Sequence, residues 1–132
     1  MKTLCTIAAA AVLAVSPAAA DDIEGVYKGM IFSAGEYPGT TIFTISDEGK
    51  IGGTYVYAAD GNAEVGAGEL KDCWFEARML RCIWVDDFGK GDFVALFSSD
   101  FRSFNGGWFD TTMKGVRPSL EGAFPWTGKR VE

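Results

Sequence analysis

The sequence predicts an all-β domain of about eight short strands, folded as a small antiparallel barrel or sandwich. Three observations carry this. Apolar and polar residues alternate with period two along most of the chain. Turn-forming residues punctuate it at a spacing of roughly 8–12 residues. The chain also holds 17 glycines and, as 10 Phe, 4 Tyr and 4 Trp, a large aromatic complement for its 132 residues, which suits strands joined by tight turns.

The elements follow in order. After Asp22, the residues Ile23, Gly25, Tyr27, Gly29 and Ile31 share one face of a first strand, and Glu24, Val26, Lys28 and Met30 the other. Ser33 to Gly39 reads as a loop. Thr40 to Ser46 is β-branched and aromatic, Asp47-Glu48-Gly49-Lys50 is a hairpin turn, and Ile51 to Tyr57 returns. Ala58 to Ala63 is a further turn, and Val65 to Cys73 and Leu80 to Val85 form the next pair. In such a hairpin, Cys73 facing Cys82 places Phe75 opposite Leu80. Phe88 to Gly91 turns, Phe93 to Phe97 is apolar on both faces, and Ser98 to Arg102 turns again. Ser103 to Phe109 is a strand, Asp110 to Gly122 is irregular, and Phe124 to Val131 is the last strand. No segment reads as a helix. Small residues recur near aromatic ones on the strands, as in Gly25-Val26-Tyr27, Gly53-Thr54-Tyr55, Cys82-Ile83-Trp84 and Gly107-Trp108. An inward ring beside a small inward neighbour is what a tightly curved wall requires.

The N-terminus sets the compartment. Lys2, the apolar run Leu4 to Val15, the break at Ser16-Pro17 and the small residues Ala18 to Ala20 read as a secretory signal peptide over residues 1–20, cleaved before Asp21. The apolar run is about a dozen residues, short of the roughly 20 that a spanning helix needs. Residues 21–132 are then one domain. Removing residues 1–20 removes Lys2, so 11 basic and 18 acidic residues remain. They are scattered, without the basic patch that nucleic acid or an anionic membrane would require. No membrane span and no nucleic-acid partner are expected, and the location is periplasmic or secreted. Cys73 and Cys82 survive cleavage. In an oxidising compartment they read as a disulfide, since two cysteines with no histidine make a poor zinc site.

The absence of histidine removes the commonest general base and metal ligand. Asp86, Asp87 and Asp92 flank a turn and could in principle act as paired carboxylates, but they read as solvated turn formers. Asp60-Gly61-Asn62-Ala63-Glu64 alternates oxygen side chains without completing a calcium loop. Gly66-Ala67-Gly68 precedes no helix and no Lys-Ser/Thr pair, so it reads as strand rather than phosphate loop. No catalytic constellation, cofactor or metal is expected.

Two features resemble the calycin group of up-and-down barrels, the lipocalin and avidin kind. The first strand holds Gly25-Val26-Tyr27, where those families usually have Gly-x-Trp, and the last ends Trp126-Thr127-Gly128-Lys129-Arg130. Thr40 to Tyr57 also resembles an avidin-like second hairpin, and Leu70 to Trp108 is similar to small exported bacterial proteins. The resemblance implies an up-and-down barrel of about eight strands. It implies that Arg130 packs over a buried Tyr27 and that the last strand pairs with the first. Tyr27 departs from the tryptophan of the pattern, and biotin binding is not carried over.

The remaining aromatic residues suggest function. Tyr55 shares a face with Ile51, Gly53 and Tyr57, Trp84 with Leu80 and Cys82, and Trp108 with Phe104 and Gly106. Facing inward, Tyr55, Trp84 and Trp108 would either line a ligand cavity or fill the core, since eight strands leave room for side chains or one small ligand. Two functions follow. One is a non-enzymatic binding protein for a small, partly apolar ligand. The other is a protein-interaction module, such as a hydrolase inhibitor or an accessory subunit of an envelope complex, with the loops Ser33–Gly39 and Asp110–Gly122 making the contacts to an envelope or secreted protein.

Overall fold

Alternation of side chains becomes eight antiparallel strands in a computed structural model that describes residues 20–59, 64–112 and 119–131. They are β1 (Gly25–Phe32), β2 (Glu36–Ile45), β3 (Ile51–Ala58), β4 (Glu64–Glu76), β5 (Met79–Asp86), β6 (Gly89–Phe97), β7 (Ser103–Trp108) and β8 (Phe124–Arg130). Each pairs with the next in sequence, and β8 pairs back onto β1, so the sheet closes into an up-and-down barrel. Closure leaves no free sheet edge. The seam places Tyr27 opposite Arg130 and Ile31 opposite Trp126. The backbones approach so closely there that a side chain at Gly29 would strike the Thr127 carbonyl. Most of the predicted signal peptide, residues 1–19, lies outside the described residues. No helix among the described residues is long and apolar enough to cross a membrane.

The departures from the sequence reading have local causes. The chain before Gly25 forms a 3-10 helix, Ala20–Ile23, rather than extending β1. Its Ile23 is buried against the end of the barrel, so an apolar residue in step with β1 belongs to a plug. β2 begins at Glu36 rather than Thr40, which shortens the first loop to three residues. Pro38 is accommodated because β2 pairs only with β1 before Gly39, and a proline is tolerated where one side of a strand is unpaired. β4 runs on to Glu76, past a bulge in which Asp72 and Cys73 together face Cys82. Asp72 there adopts a left-handed backbone (φ 52°). Cys73 and Cys82 are joined by a disulfide at this bulge, and Phe75 faces Leu80 beyond it.

The core is a stack of rings inside the barrel. At the lower end Tyr27, Phe43, Phe97 and Phe104 pack edge to face around one another, with centroids 5.5–5.8 Å apart. Above them Phe93 and Tyr55 meet Trp126 at 4.5 and 4.8 Å. Such edge-to-face pairs are each worth about 0.5–1.5 kcal/mol beyond burial. The buried Thr41 hydroxyl accepts the Trp126 indole N–H at 2.9 Å, satisfying both groups inside the barrel.

The two ends differ. The lower end is closed by Ile23, Phe101 and Arg130. The Arg130 guanidinium lies 4.9 Å from the Tyr27 ring centroid. It donates to the Phe101, Glu24 and Asp22 carbonyls and to the Tyr27 hydroxyl. Tyr27 in turn donates to the Ile23 carbonyl at 2.9 Å. One side chain therefore ties the 3-10 helix, β1, the β6–β7 turn and β8 together. The upper end is open.

Candidate functional site

The upper mouth is built from the ends of β1, β3, β5 and β7 and the start of β8. Strand alternation sends Tyr55 and Tyr57 of β3, and Trp84 and Asp86 of β5, to the inside. They line an open cavity of about 60 Å³ together with Ile31, Trp108 and the deep-lying Trp126. Phe32, Ser33 and Phe88 complete its wall. All three residues singled out from the sequence, Tyr55, Trp84 and Trp108, thus meet at one cavity. Trp84 and Trp108 pack edge to face at 5.4 Å. The volume suits a few water molecules or one small head group, well short of the 300–1,000 Å³ of drug-sized pockets.

Glycine opposite four of the rings lets the walls close this tightly. Tyr55 faces Gly68, Tyr57 faces Gly66, Trp84 faces Gly91 and Trp126 faces Gly106. The space beside Gly53 and Gly106 is not cavity: a side chain at either position would strike the backbone of an adjacent strand. Below the mouth the buried rings of Tyr27, Phe43, Phe93, Phe97 and Phe104 pack against one another.

The rings are held in place by their polar atoms. The Trp84 indole N–H donates to the Phe109 carbonyl and that of Trp108 to the Phe32 carbonyl, each at 2.8 Å. The Tyr55 hydroxyl donates to Asp86 Oδ2 at 2.6 Å. Burial, reinforced by that carboxylate, pushes the Tyr55 phenol far above its usual range, so it stays protonated and holds Asp86 at the cavity wall. Asp86 Oδ1 accepts the Phe88 backbone N–H at 2.8 Å, which sets the β5–β6 turn. That turn leaves the Phe88 ring 71% exposed at the rim. Phe32 and Phe124 stack on one another with rings 7° from parallel, and Phe124 also packs on Trp108.

Asp86 is the site residue that sequence reasoning missed, and the reading of the acids as solvated turn formers needs correction. Asp86 follows Trp84 by two positions and therefore shares its inward face, a parity already present in the sequence. Asp92 is also buried, though on the outer face, where it pairs with Arg81 at 3.0 Å. The segment after β7 covers it, through backbone bonds between Asp92 and both Phe109 and Thr111. Of the three, Asp87 alone is exposed.

Tyr27 and Arg130 lie at the opposite, closed end, and Cys73–Cys82 in the wall between β4 and β5. Glycines 66 and 68 are strand positions facing tyrosine rings. The Asp60–Ala63 part of the possible calcium segment lies outside the described residues, as does much of the Asp110–Gly122 loop. Among the described residues no cluster of three or more metal-ligating side chains occurs.

No protein-family model, characterised protein or solved structure matches the chain.

Proposed function

We propose that this is an exported, non-enzymatic binding protein that holds a small, partly apolar ligand in the aromatic mouth of its barrel. The observation that carries the reading is the contrast between the ends: one is plugged, and the other opens on a cavity where Tyr55, Trp84 and Trp108 converge. The Cys73–Cys82 disulfide supports an oxidising compartment, and with the leader-like residues 1–20 it supports a periplasmic or secreted location. The Tyr27–Arg130 pairing across the closing strands supports a calycin-like relationship. The lack of histidine in the whole sequence supports a role without catalysis.

Tryptophan fluorescence tests the reading, because Trp84, Trp108 and Trp126 all line the cavity. A panel of small amphiphilic and apolar compounds should contain members that change the emission saturably. Phe88→Ala is the informative variant: the ring is largely exposed, so its loss leaves stability unchanged. Removing about half of a phenylalanine's burial by ligand, roughly 1 kcal/mol, should weaken binding about fivefold. Trp84→Ala is a poorer test, since this core ring is worth about 3–5 kcal/mol to the fold. A panel with no saturable change would overturn the reading. The exposed Phe88 and Phe124 would then favour the second function, contact with an envelope or secreted protein through the same rim.

A further inference from the structure

The charge of the mouth is one-sided: among its lining residues Asp86 alone is ionisable as an acid or base of ordinary pH, and it is an acid. The three indole N–H groups at its walls are used, those of Trp84 and Trp108 by backbone carbonyls and that of Trp126 by Thr41, and the Tyr55 hydroxyl proton is used by Asp86. What remains toward the cavity is the Ser33 hydroxyl, which accepts from Tyr57 at 3.4 Å, the aromatic rings and the Asp86 carboxylate. Each oxygen of that carboxylate accepts one hydrogen bond, from Tyr55 and from the Phe88 backbone, while a carboxylate offers about four lone-pair sites. Among the described residues no cationic side chain lines the cavity.

Among the described residues the surroundings carry mostly the same sign, Lys114 and Arg117 of the β7–β8 connection lying outside them. Glu36, Glu64, Asp87, Asp110 and Glu121 lie in or beside the connections at this end. Lys90 is the one basic residue of those described segments, and it pairs opposite Val85 on the outer face, because its neighbour Gly91 is the inward residue facing Trp84. Clefts lined by one sign of charge concentrate the opposite ion. Rings grouped around a carboxylate form a site for an organic cation, which gains from ring quadrupoles and from the fixed negative charge.

We infer that the mouth takes the positively charged head of an organic ammonium ligand, with Asp86 facing the charge and the rings of Tyr55, Trp84, Trp108 and Phe88 around it. The inference rests on the reading of the mouth as a binding site and names its ligand class. The cavity admits the head group alone, so the remainder of the ligand stays outside, against Phe88 and Phe124. An ammonium head is carried both by free small molecules such as choline, a quaternary ammonium, and by a lysine side chain of a protein, and the site recognises the positive charge common to them.

The test compares charge at constant shape. Tryptophan fluorescence of the whole protein is titrated with choline, with 3,3-dimethylbutanol as its uncharged isostere, and with Nα-acetyl-lysine amide, which keeps its ε-ammonium group. At least one of the two ammonium compounds should bind tenfold or more tightly than the alcohol. Choline binding assigns a free ammonium compound, and lysine amide binding alone assigns a protein side chain. Asp86→Asn retains hydrogen-bonding partners for Tyr55 and Phe88 while removing the charge. It should abolish the preference and leave the alcohol's affinity unchanged. If the alcohol binds as tightly as both ammonium compounds, the ammonium inference is overturned while the apolar mouth stands. The same holds if Asp86→Asn folds and binds choline or the lysine amide as well as the original protein. If none of these compounds, nor the wider apolar panel, gives a saturable change, both readings fall. The comparison of choline with its isostere needs no variant, so it holds even if Asp86→Asn fails to fold.

Discussion

Arg130 and Tyr55 show how single side chains organise opposite ends of the barrel. Arg130 spends its donors on three carbonyls and a phenol, as a planar guanidinium fork can. The Phe101 carbonyl that it holds belongs to a bulky residue in the left-handed region (φ 58°). Such a conformation costs of order 1–3 kcal/mol and is offset here by the buried Phe101 ring, packed on Phe97 and Phe75. Tyr27 and Tyr55 both have raised phenol pKa values, in each case chiefly through burial. Arg130 opposes the rise at Tyr27, and Asp86 adds to it at Tyr55. The sign for stability follows from linkage. Below about pH 10 both phenols are protonated folded or unfolded. Above it the unfolded chain loses these protons while the folded chain keeps them, so stability falls as pH rises further. An absorbance titration at 295 nm should therefore find Tyr27 and Tyr55 un-ionised in the folded protein at a pH where all four tyrosines ionise in denaturant. Four ionised tyrosines in a protein still folded at that pH would contradict the burial assigned to them.

At the scale of strands, the recurrent device is a ring on one strand laid over a glycine on the next. Gly68 is the sharpest case: a methyl there would meet both the Tyr55 hydroxyl and the Val85 carbonyl. The hydroxyl can swing away only by leaving Asp86, and the carbonyl is fixed in the β4–β5 ladder. Gly68→Ala should destabilise the barrel by about 1–3 kcal/mol. Gly52→Ala, where the nearest atom is 3.5 Å away, should change stability by less than about 0.5 kcal/mol. Chemical denaturation distinguishes them, and equal effects would refute the ring-over-glycine account. Much of this level was legible in the sequence. Period-two alternation located the strands, and Asp47 to Lys50 marked a hairpin. Parity placed Tyr55, Trp84 and Trp108 on inner faces. Three features were not recovered. Ile23 keeps the parity of β1 and yet sits in a 3-10 plug, which only tertiary packing decides. The bulge at Asp72 and Cys73 depends on a left-handed residue that is not glycine. Pro38 suggests a loop until one knows that β2 is paired on a single side there.

On the scale of the whole molecule, closure and polarity of the barrel matter most. Alternation and turn spacing alone allow a sandwich as well as a barrel, because both satisfy the same inward and outward faces. The pairing of Tyr27 with Arg130 closes the sheet, and that contact was anticipated only through the Gly25–Tyr27 and Trp126–Arg130 resemblance. Polarity between the ends was not legible, because it depends on which loops neighbour one another around the rim. Once the barrel is closed, Asp86 and its neighbouring acids gather at the open end, while Arg130 is drawn into the plug.

The central claim, that this open end is the binding site, is tested most directly by nitrogen-15 NMR titration with the strongest binder found by fluorescence. The indole resonances report position by themselves. Trp84 and Trp108 line the mouth, whereas Trp74 lies 46% exposed on β4, away from the cavity. Saturable shifts should appear at the Trp84 and Trp108 indoles and at the amides of Asp86 to Gly89, with the Trp74 indole unmoved. Saturable shifts centred on Trp74, with Trp84 and Trp108 unchanged, would contradict the account.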